Sequence, residues 1–145
     1  MSAKIIQWQA DTSRGLGVSD QIVGAQVGLY PLSGTQAYLV WQVDLSKNVI
    51  LLDAGAQTLA LDFQNGKAVG EGILVLSAYT GTPTPTQRWS FITRKGFITS
   101  LANTTLVVDD KGRGIEPGNP VWGYPFNGSV AQQWKAIDPF EFLAR

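Results

Sequence analysis

Residues 106–134 open with Leu106-Val107-Val108-Asp109, continue through Gly118-Asn119-Pro120-Val121-Trp122-Gly123-Tyr124-Pro125, and close with Gln132-Gln133-Trp134. The first run is β-branched and ends in an acid. The second ends in an aromatic-Pro pair and the third in an indole. Lys111-Gly112 and Asn127-Gly128 break the stretch as turn residues do, so it reads as strand-length pieces joined by turns. The same order of features occurs twice upstream. Leu16-Gly17-Val18-Ser19-Asp20, Gly24-Ala25-Gln26-Val27-Gly28-Leu29-Tyr30-Pro31 and Leu39-Val40-Trp41 form one copy. Leu59-Ala60-Leu61-Asp62-Phe63, Gly70-Glu71-Gly72-Ile73-Leu74-Val75-Leu76-Ser77 and Gln87-Arg88-Trp89 form another. Trp41, Trp89 and Trp134 lie 48 and 45 positions apart, which gives three copies over residues 4–44, 49–92 and 96–137.

Outward from these segments, the runs Lys4–Gln9, Leu39–Val43, Ile73–Leu76, Arg88–Ile92 and Phe97–Leu101 are also of strand length. Gly34, Gly55, Asn65-Gly66, Gly81 and Lys95-Gly96 separate them, and Ser46-Lys47-Asn48 divides the longest Gly- and Pro-free stretch. No segment keeps a helical apolar period over a dozen residues, so the chain is all-β. Gln and Trp two apart on a strand share a face, which predicts a core indole beside an amide that pins a neighbouring loop. Four short strands per copy predict twelve strands around a pseudo-threefold axis, an arrangement that closes a barrel and hides most sheet edges. The side faced by Trp8 and Trp122 is left open by the pattern. One domain is expected over residues 1–145, with residues 138–145 as a tail folded over a barrel end or, alternatively, forming a homodimer contact.

Composition removes many chemistries. The 145 residues carry 11 Lys+Arg and 11 Asp+Glu, so there is no basic footprint for nucleic acid and no polybasic run for a membrane surface. With neither Cys nor His, there is no disulfide framework, thiol nucleophile, imidazole base, or thiolate or histidine metal site. No cofactor is expected. No apolar run is long enough to span a bilayer, and Met1–Trp8 lacks the apolar core of a signal peptide, so a cytoplasmic location is the expectation. Gly66–Gly72 has neither the glycine spacing nor the Lys-Ser/Thr ending of a phosphate loop. Asp109 and Asp110 sit in a turn rather than across a cleft, which argues against glycoside hydrolysis and for a non-catalytic protein.

The order of the Leu-x-x-Asp, aromatic-Pro and Gln-x-Trp segments resembles that of the ricin-B-type β-trefoil lectins. The short, Cys-free form is similar to cytoplasmic trefoil lectins of fungi. The resemblance implies a β-trefoil that binds glycans of the galactose or N-acetylgalactosamine type at one to three shallow sites. In the third copy it places the hydroxyl-accepting carboxylate on Asp109, the stacking ring on Tyr124 and an accompanying amide on Gln132. Asn127 is an additional donor away from the family's usual Asn position, which is Ala131 here. In the first copy the roles fall on Ser19 or Asp20 and on Tyr30. In the second, Asp62 is present but Leu76 takes the stacking position, with Tyr79 as a substitute three residues on.

The chemistry suits the residues independently of the family. An ionised carboxylate accepts several hydroxyl protons, and a tyrosine offers a rigid apolar face with a polar tip. The alternative is a trefoil that binds protein rather than sugar, as protease inhibitors and companion subunits do. The incomplete motifs, Leu39 in place of Gln and Leu76 in place of an aromatic, keep that alternative open beside the lectin reading.

Overall fold

The computed structural model describes residues 1–140. Twelve strands belong to one connected sheet system. The first copy contributes β1 (Ser2–Trp8), β2 (Arg14–Gly17), β3 (Gly28–Pro31) and β4 (Val40–Asp44). The second contributes β5 (Val49–Asp53), β6 (Thr58–Phe63), β7 (Gly72–Ala78) and β8 (Trp89–Ser90). The third contributes β9 (Thr99–Ser100), β10 (Leu106–Asp110), β11 (Asn119–Pro125) and β12 (Trp134–Ile137). Strand β1 pairs with β12 and β4, β4 with β5, and β8 with β9, which carries the outer strands from copy to copy. The inner strands of each copy form hairpins, β2–β3, β6–β7 and β10–β11. The expected turn at Ser46-Lys47-Asn48 closes β4 onto β5, with Asp44 Oδ1 accepting from the backbone N–H of Ser46 and Lys47.

Two sets of hydrogen bonds show the threefold repetition atom by atom. The indole N–H of Trp41 donates to the Leu16 carbonyl at 3.1 Å, that of Trp89 to Leu61 at 3.0 Å, and that of Trp134 to Val108 at 3.0 Å. Each bond ties the fourth strand of a copy to its second, and all three indoles belong to one buried cluster. A buried indole requires such a partner, because its N–H cannot reach water. The second set joins the three hairpins. Gly24 N–H donates to Leu76 O, Glu71 N–H to Gly123 O and Gly118 N–H to Leu29 O, each at 2.8 Å, so each hairpin loop is bonded to another copy's hairpin. Trp8 is also in the core, with its N–H on the Ala131 carbonyl at 3.2 Å. Of the expected tail, residues 138–140 are described, with Phe140 exposed; residues 141–145, and with them the expected packing over a barrel end, lie outside the described residues.

The indole bonds also set the register of the copies. Leu16, Leu61 and Val108 are equivalent, so the residues that follow them, Gly17, Asp62 and Asp109, share one position. Across the hairpins these pair with Gly28, Val75 and Trp122. Two positions further along, Tyr30, Ser77 and Tyr124 are equivalent, pairing with Gly15, Ala60 and Val107. The first copy therefore places Gly17, and neither Ser19 nor Asp20, where the third has Asp109. The second places Ser77, and not Leu76, where the third has Tyr124. Leu76 faces the opposite side of β7 and is fully buried in the core.

Candidate functional site

In the third copy, Asp109 and Tyr124 project from neighbouring strands on the same side as Trp122, since Asp109 pairs directly with Trp122 and Tyr124 lies two residues on. Trp122 donates its indole N–H to Asp109 Oδ1 at 2.8 Å. The Trp122 and Tyr124 rings stack at 5.3 Å with 17° between their planes. A half-buried aromatic ledge thus lies beside a carboxylate, in a cleft of about 260 Å³ lined by Asp109, Arg113, Trp122, Tyr124, Asn127 and Ser129. Burial pushes the Asp109 carboxyl above its ordinary range, while bonds from Trp122 and Gln132 and the nearby Arg113 charge pull it back.

Gln132 is fully buried behind this cleft. Its Oε1 accepts from Asn127 N–H at 2.9 Å and its Nε2 donates to Pro125 O at 3.0 Å. Gln132 therefore holds the loop that carries Asn127. Asn127 is exposed and lines the cleft, with its Oδ1 accepting from Ser129 N–H at 2.8 Å.

Asp110, the next residue, points to the other side of β10. Its Oδ1 accepts from Asn119 Nδ2 at 2.9 Å, whereas its Oδ2 is buried with no partner among the described residues. Burial, reinforced by the Asp109 charge and opposed by the Asn119 bond, pushes its pKa up to about 7.

The second copy builds a different arrangement. Asp62 accepts from Phe63 N–H and from Ser77 Oγ–H, both at 2.7 Å, and Gln87 Nε2 donates to Ser77 Oγ at 2.8 Å. A depression of about 320 Å³ includes Asp62 and Ser77 but no exposed aromatic ring. Tyr79 lies instead in a separate groove with Gln42, Asp53 and Thr58.

The first copy is filled in. Tyr30 is buried, and a Cβ on Gly118 would stand 3.2 Å from its hydroxyl, so the ring serves the contact between copies. Leu39, at the position of Gln87 and Gln132, packs with Ile5, Leu32 and Ile137. A Cβ on Gly17 would come within 2.9 Å of Leu39 Cδ2 and 3.0 Å of Tyr30 Cδ2, so no room exists there for the carboxylate of the third copy. Asp20 is exposed on the β2–β3 loop and does not line that region with Tyr30.

The residues brought together by the structure are thus Asp109, Tyr124, Asn127 and, from behind, Gln132. Asp62 stands alone with polar neighbours, and Asp20 and Tyr30 are kept apart. Sequence reasoning missed Trp122 and Arg113. The i, i+2 relation of Trp122 to Tyr124 on a strand was the signal for the former. Among the described residues no group of three carboxylates converges to hold a metal ion.

No protein-family model matches this sequence, and no curated protein does. Solved structures do match. A designed threefold symmetric protein, ThreeFoil, superposes with a TM-score of 0.75 at 22% identity, over 94% of this chain and 98% of that one. The fold is a β-trefoil. The C-half of an earthworm R-type lectin, solved with GalNAc, matches with a TM-score of 0.72 at 16% identity over 94% and 98% of the two chains. The agglutinin of Abrus precatorius matches with a TM-score of 0.70 at 15% identity, over 94% of this chain and 47% of that one. The trefoil supplies three equivalent hairpins, and here only the third presents an aromatic ledge beside its acid.

Proposed function

We propose that this protein binds carbohydrate without transforming it, through a single site in the third copy that takes a galactose- or N-acetylgalactosamine-type ring. The carrying observation is the juxtaposition of Asp109 with the stacked Trp122 and Tyr124 rings in one open cleft. A hexose has hydroxyls around its edge and one apolar C–H face. An acceptor fixed by the Trp122 bond captures adjacent hydroxyls, and the aromatic ledge covers the C–H face. Asn127, in the lining of the same cleft, adds an amide donor. The lectins of the same fold, one of them solved with GalNAc, support the ligand class.

The two neighbouring carboxylates do not form a hydrolytic pair. Asp109 and Asp110 alternate on β10, and Asp110 is engaged with Asn119 on the other side. The shallow cleft predicts weak affinity for a monosaccharide, and one site per chain gives no avidity unless the protein oligomerises.

Calorimetric titration with galactose, lactose and N-acetylgalactosamine tests this reading. Binding is expected in the wild type and lost in Asp109→Ala and in Tyr124→Ala. Binding that survives both changes places the site elsewhere. No binding to any galactoside, together with a specific protein partner, favours the interaction-module reading, which the filled first copy and the ringless second copy also fit.

A further inference from the structure

We propose that the third-copy cleft selects glycans carrying an anionic substituent, a sulfate or a carboxylate, which Arg113 and Lys111 hold at the edge of the aromatic ledge. The proposal rests on the carbohydrate reading above and names the kind of glycan.

It starts from a difference between equivalent turns. After Asp62 the chain makes a short 3-10 turn over Gln64–Gly66, and after Asp109 an equivalent one over Lys111–Arg113. Both turns have two residues in the left-handed region: Asn65 and Gly66 at φ 60° and 64°, Gly112 and Arg113 at φ 63° and 55°. The second copy fills the last of these positions with glycine, the residue suited to that conformation. The third copy fills it with arginine, which that backbone disfavours. Residues held so cluster where a side chain must be presented in one direction. Here the direction is the cleft, which Arg113 lines together with Trp122 and Tyr124.

Arg113 is exposed and, among the described residues, its guanidinium makes no hydrogen bond and no ion pair. Lys111, two residues earlier, places its ammonium 5.5 Å from the centre of the Trp122 ring. The corresponding positions of the second copy, Gln64 and Gly66, are neutral. Two cations therefore flank the one aromatic ledge and are absent from the hairpin that lacks it. A guanidinium presents a planar fork of donors that matches a sulfate or carboxylate, and an ammonium adds a point charge. Asp109 lies further in and takes the ring hydroxyls, so acceptor and cations address different parts of the same ligand.

A simpler role for Arg113 is to offset the charge of Asp109, which its proximity does in part. The two roles separate experimentally. The full chain is titrated with lactose, 3′-sulfated and 6′-sulfated lactose, and 3′- and 6′-sialyllactose, at low and moderate salt. At least one anionic ligand is expected to bind about tenfold tighter than lactose at low salt, with the margin shrinking as salt rises. Preference confined to the sulfated or to the sialylated ligands identifies the anion. Arg113→Gly suits the backbone and matches Gly66, so its melting midpoint is expected to equal or exceed that of the wild type. It is expected to weaken the anionic ligands by a clearly larger factor than lactose and so to remove most of the anionic preference. Equal binding of lactose and all four anionic ligands overturns the proposal, as does a preference that survives Arg113→Gly combined with Lys111→Gln. Loss of lactose binding in Arg113→Gly in parallel with the anionic ligands assigns Arg113 to charge balance and overturns it too. If lactose and the anionic ligands all fail to bind the wild type, the carbohydrate reading itself falls and this inference with it.

Discussion

The indole N–H of Trp122 donates to Oδ1 of Asp109 at 2.8 Å, across a register in which the two residues are direct partners. The bond fixes the rotamer of an acid that has the buried Gln132 behind it. It also sets the plane of the indole on which Tyr124 stacks. Trp122→Phe keeps a ring under Tyr124 and removes the donor. Galactoside affinity is expected to fall about ten- to a hundredfold, the equivalent of one lost charge-assisted hydrogen bond. Because that bond lowers the carboxyl's pKa, the acid limb of binding should also move to higher pH in the variant. Binding needs the carboxylate, so it is lost as pH falls through the Asp109 pKa. Calorimetry from pH 4 to pH 8 reads both effects, and an unchanged affinity with an unchanged acid limb refutes the role given to Trp122.

Gln87 and Gln132 do the same work in two copies. Gln87 Oε1 accepts from Thr84 N–H at 3.0 Å and its Nε2 donates to Ala78 O at 3.0 Å, as Gln132 bridges Asn127 and Pro125. Both amides are buried, so truncation removes two loop-holding hydrogen bonds at once and leaves a gap in the packing behind the loop. Gln87→Ala and Gln132→Ala are each expected to destabilise the fold by about 2–3 kcal/mol in urea titrations. Only Gln132→Ala should weaken sugar binding as well, since it alone frees Asn127. Equal effects of the two variants on binding would contradict that assignment.

The same residues show what a sequence discloses about this fold. Three tryptophans at matched spacing revealed the repetition because each indole fills one core position and bonds one carbonyl, and such a position tolerates little else. The Gln-x-Trp pair was legible for the same reason. The register inside the hairpins was not. Gly17 and Gly28 are 11 positions apart, while Asp62–Val75 and Asp109–Trp122 span 13, so the first hairpin loop is two residues shorter. Matching Leu16 to Leu106 instead of Val108 placed that deletion wrongly and offered Asp20 as an equivalent acid. In the second copy, matching Gly70 to Gly118 shifted the strand by one residue. That slip exchanges the faces of β7 and replaces Ser77 by the core residue Leu76. Runs such as Leu74-Val75-Leu76 hide their own alternation, because Val75 as well as its neighbours is buried.

Gly17 marks why the first copy has no such cleft. A Cβ there meets Leu39 Cδ2 at 2.9 Å, Tyr30 Cδ2 at 3.0 Å and the Tyr38 carbonyl at 3.1 Å. The carbonyl belongs to a backbone bridge, Val18 with Tyr38, and cannot retreat freely. Gly17→Ala is expected to destabilise the protein by about 1–3 kcal/mol through overpacking, and Gly17→Asp by more, because it buries an unpaired carboxylate. Neither should create a sugar site. A Gly17→Asp protein that folds normally and binds a second equivalent of lactose would show that the first copy is open after all.

Asp110 gives the protein a pH dependence of unusual sign. Its buried Oδ2 has no partner among the described residues, and burial with the neighbouring Asp109 charge pushes its pKa to about 7, against 3.8 for the free group. A carboxyl whose folded pKa is raised binds its proton more tightly in the folded state. Between about pH 4 and pH 7 the folded chain therefore holds a proton that the unfolded chain has released, and stability falls as pH rises through that window. The limiting slope is about 1.4 kcal/mol per pH unit, diminished by rearrangement around the carboxylate. Above pH 7 the contribution of Asp110 levels off. Asp110→Asn keeps an acceptor for the Asn119 amide and cannot ionise. It is expected to flatten the profile between pH 5 and pH 8 and to raise the melting midpoint at pH 8 by several degrees, while matching the wild type near pH 5. Thermal melts of both proteins across that range provide the check. A wild-type midpoint that rises steadily from pH 5 to pH 8, or a variant less stable than the wild type at pH 8, would mean that Asp110 is ionised and stabilising in the folded protein.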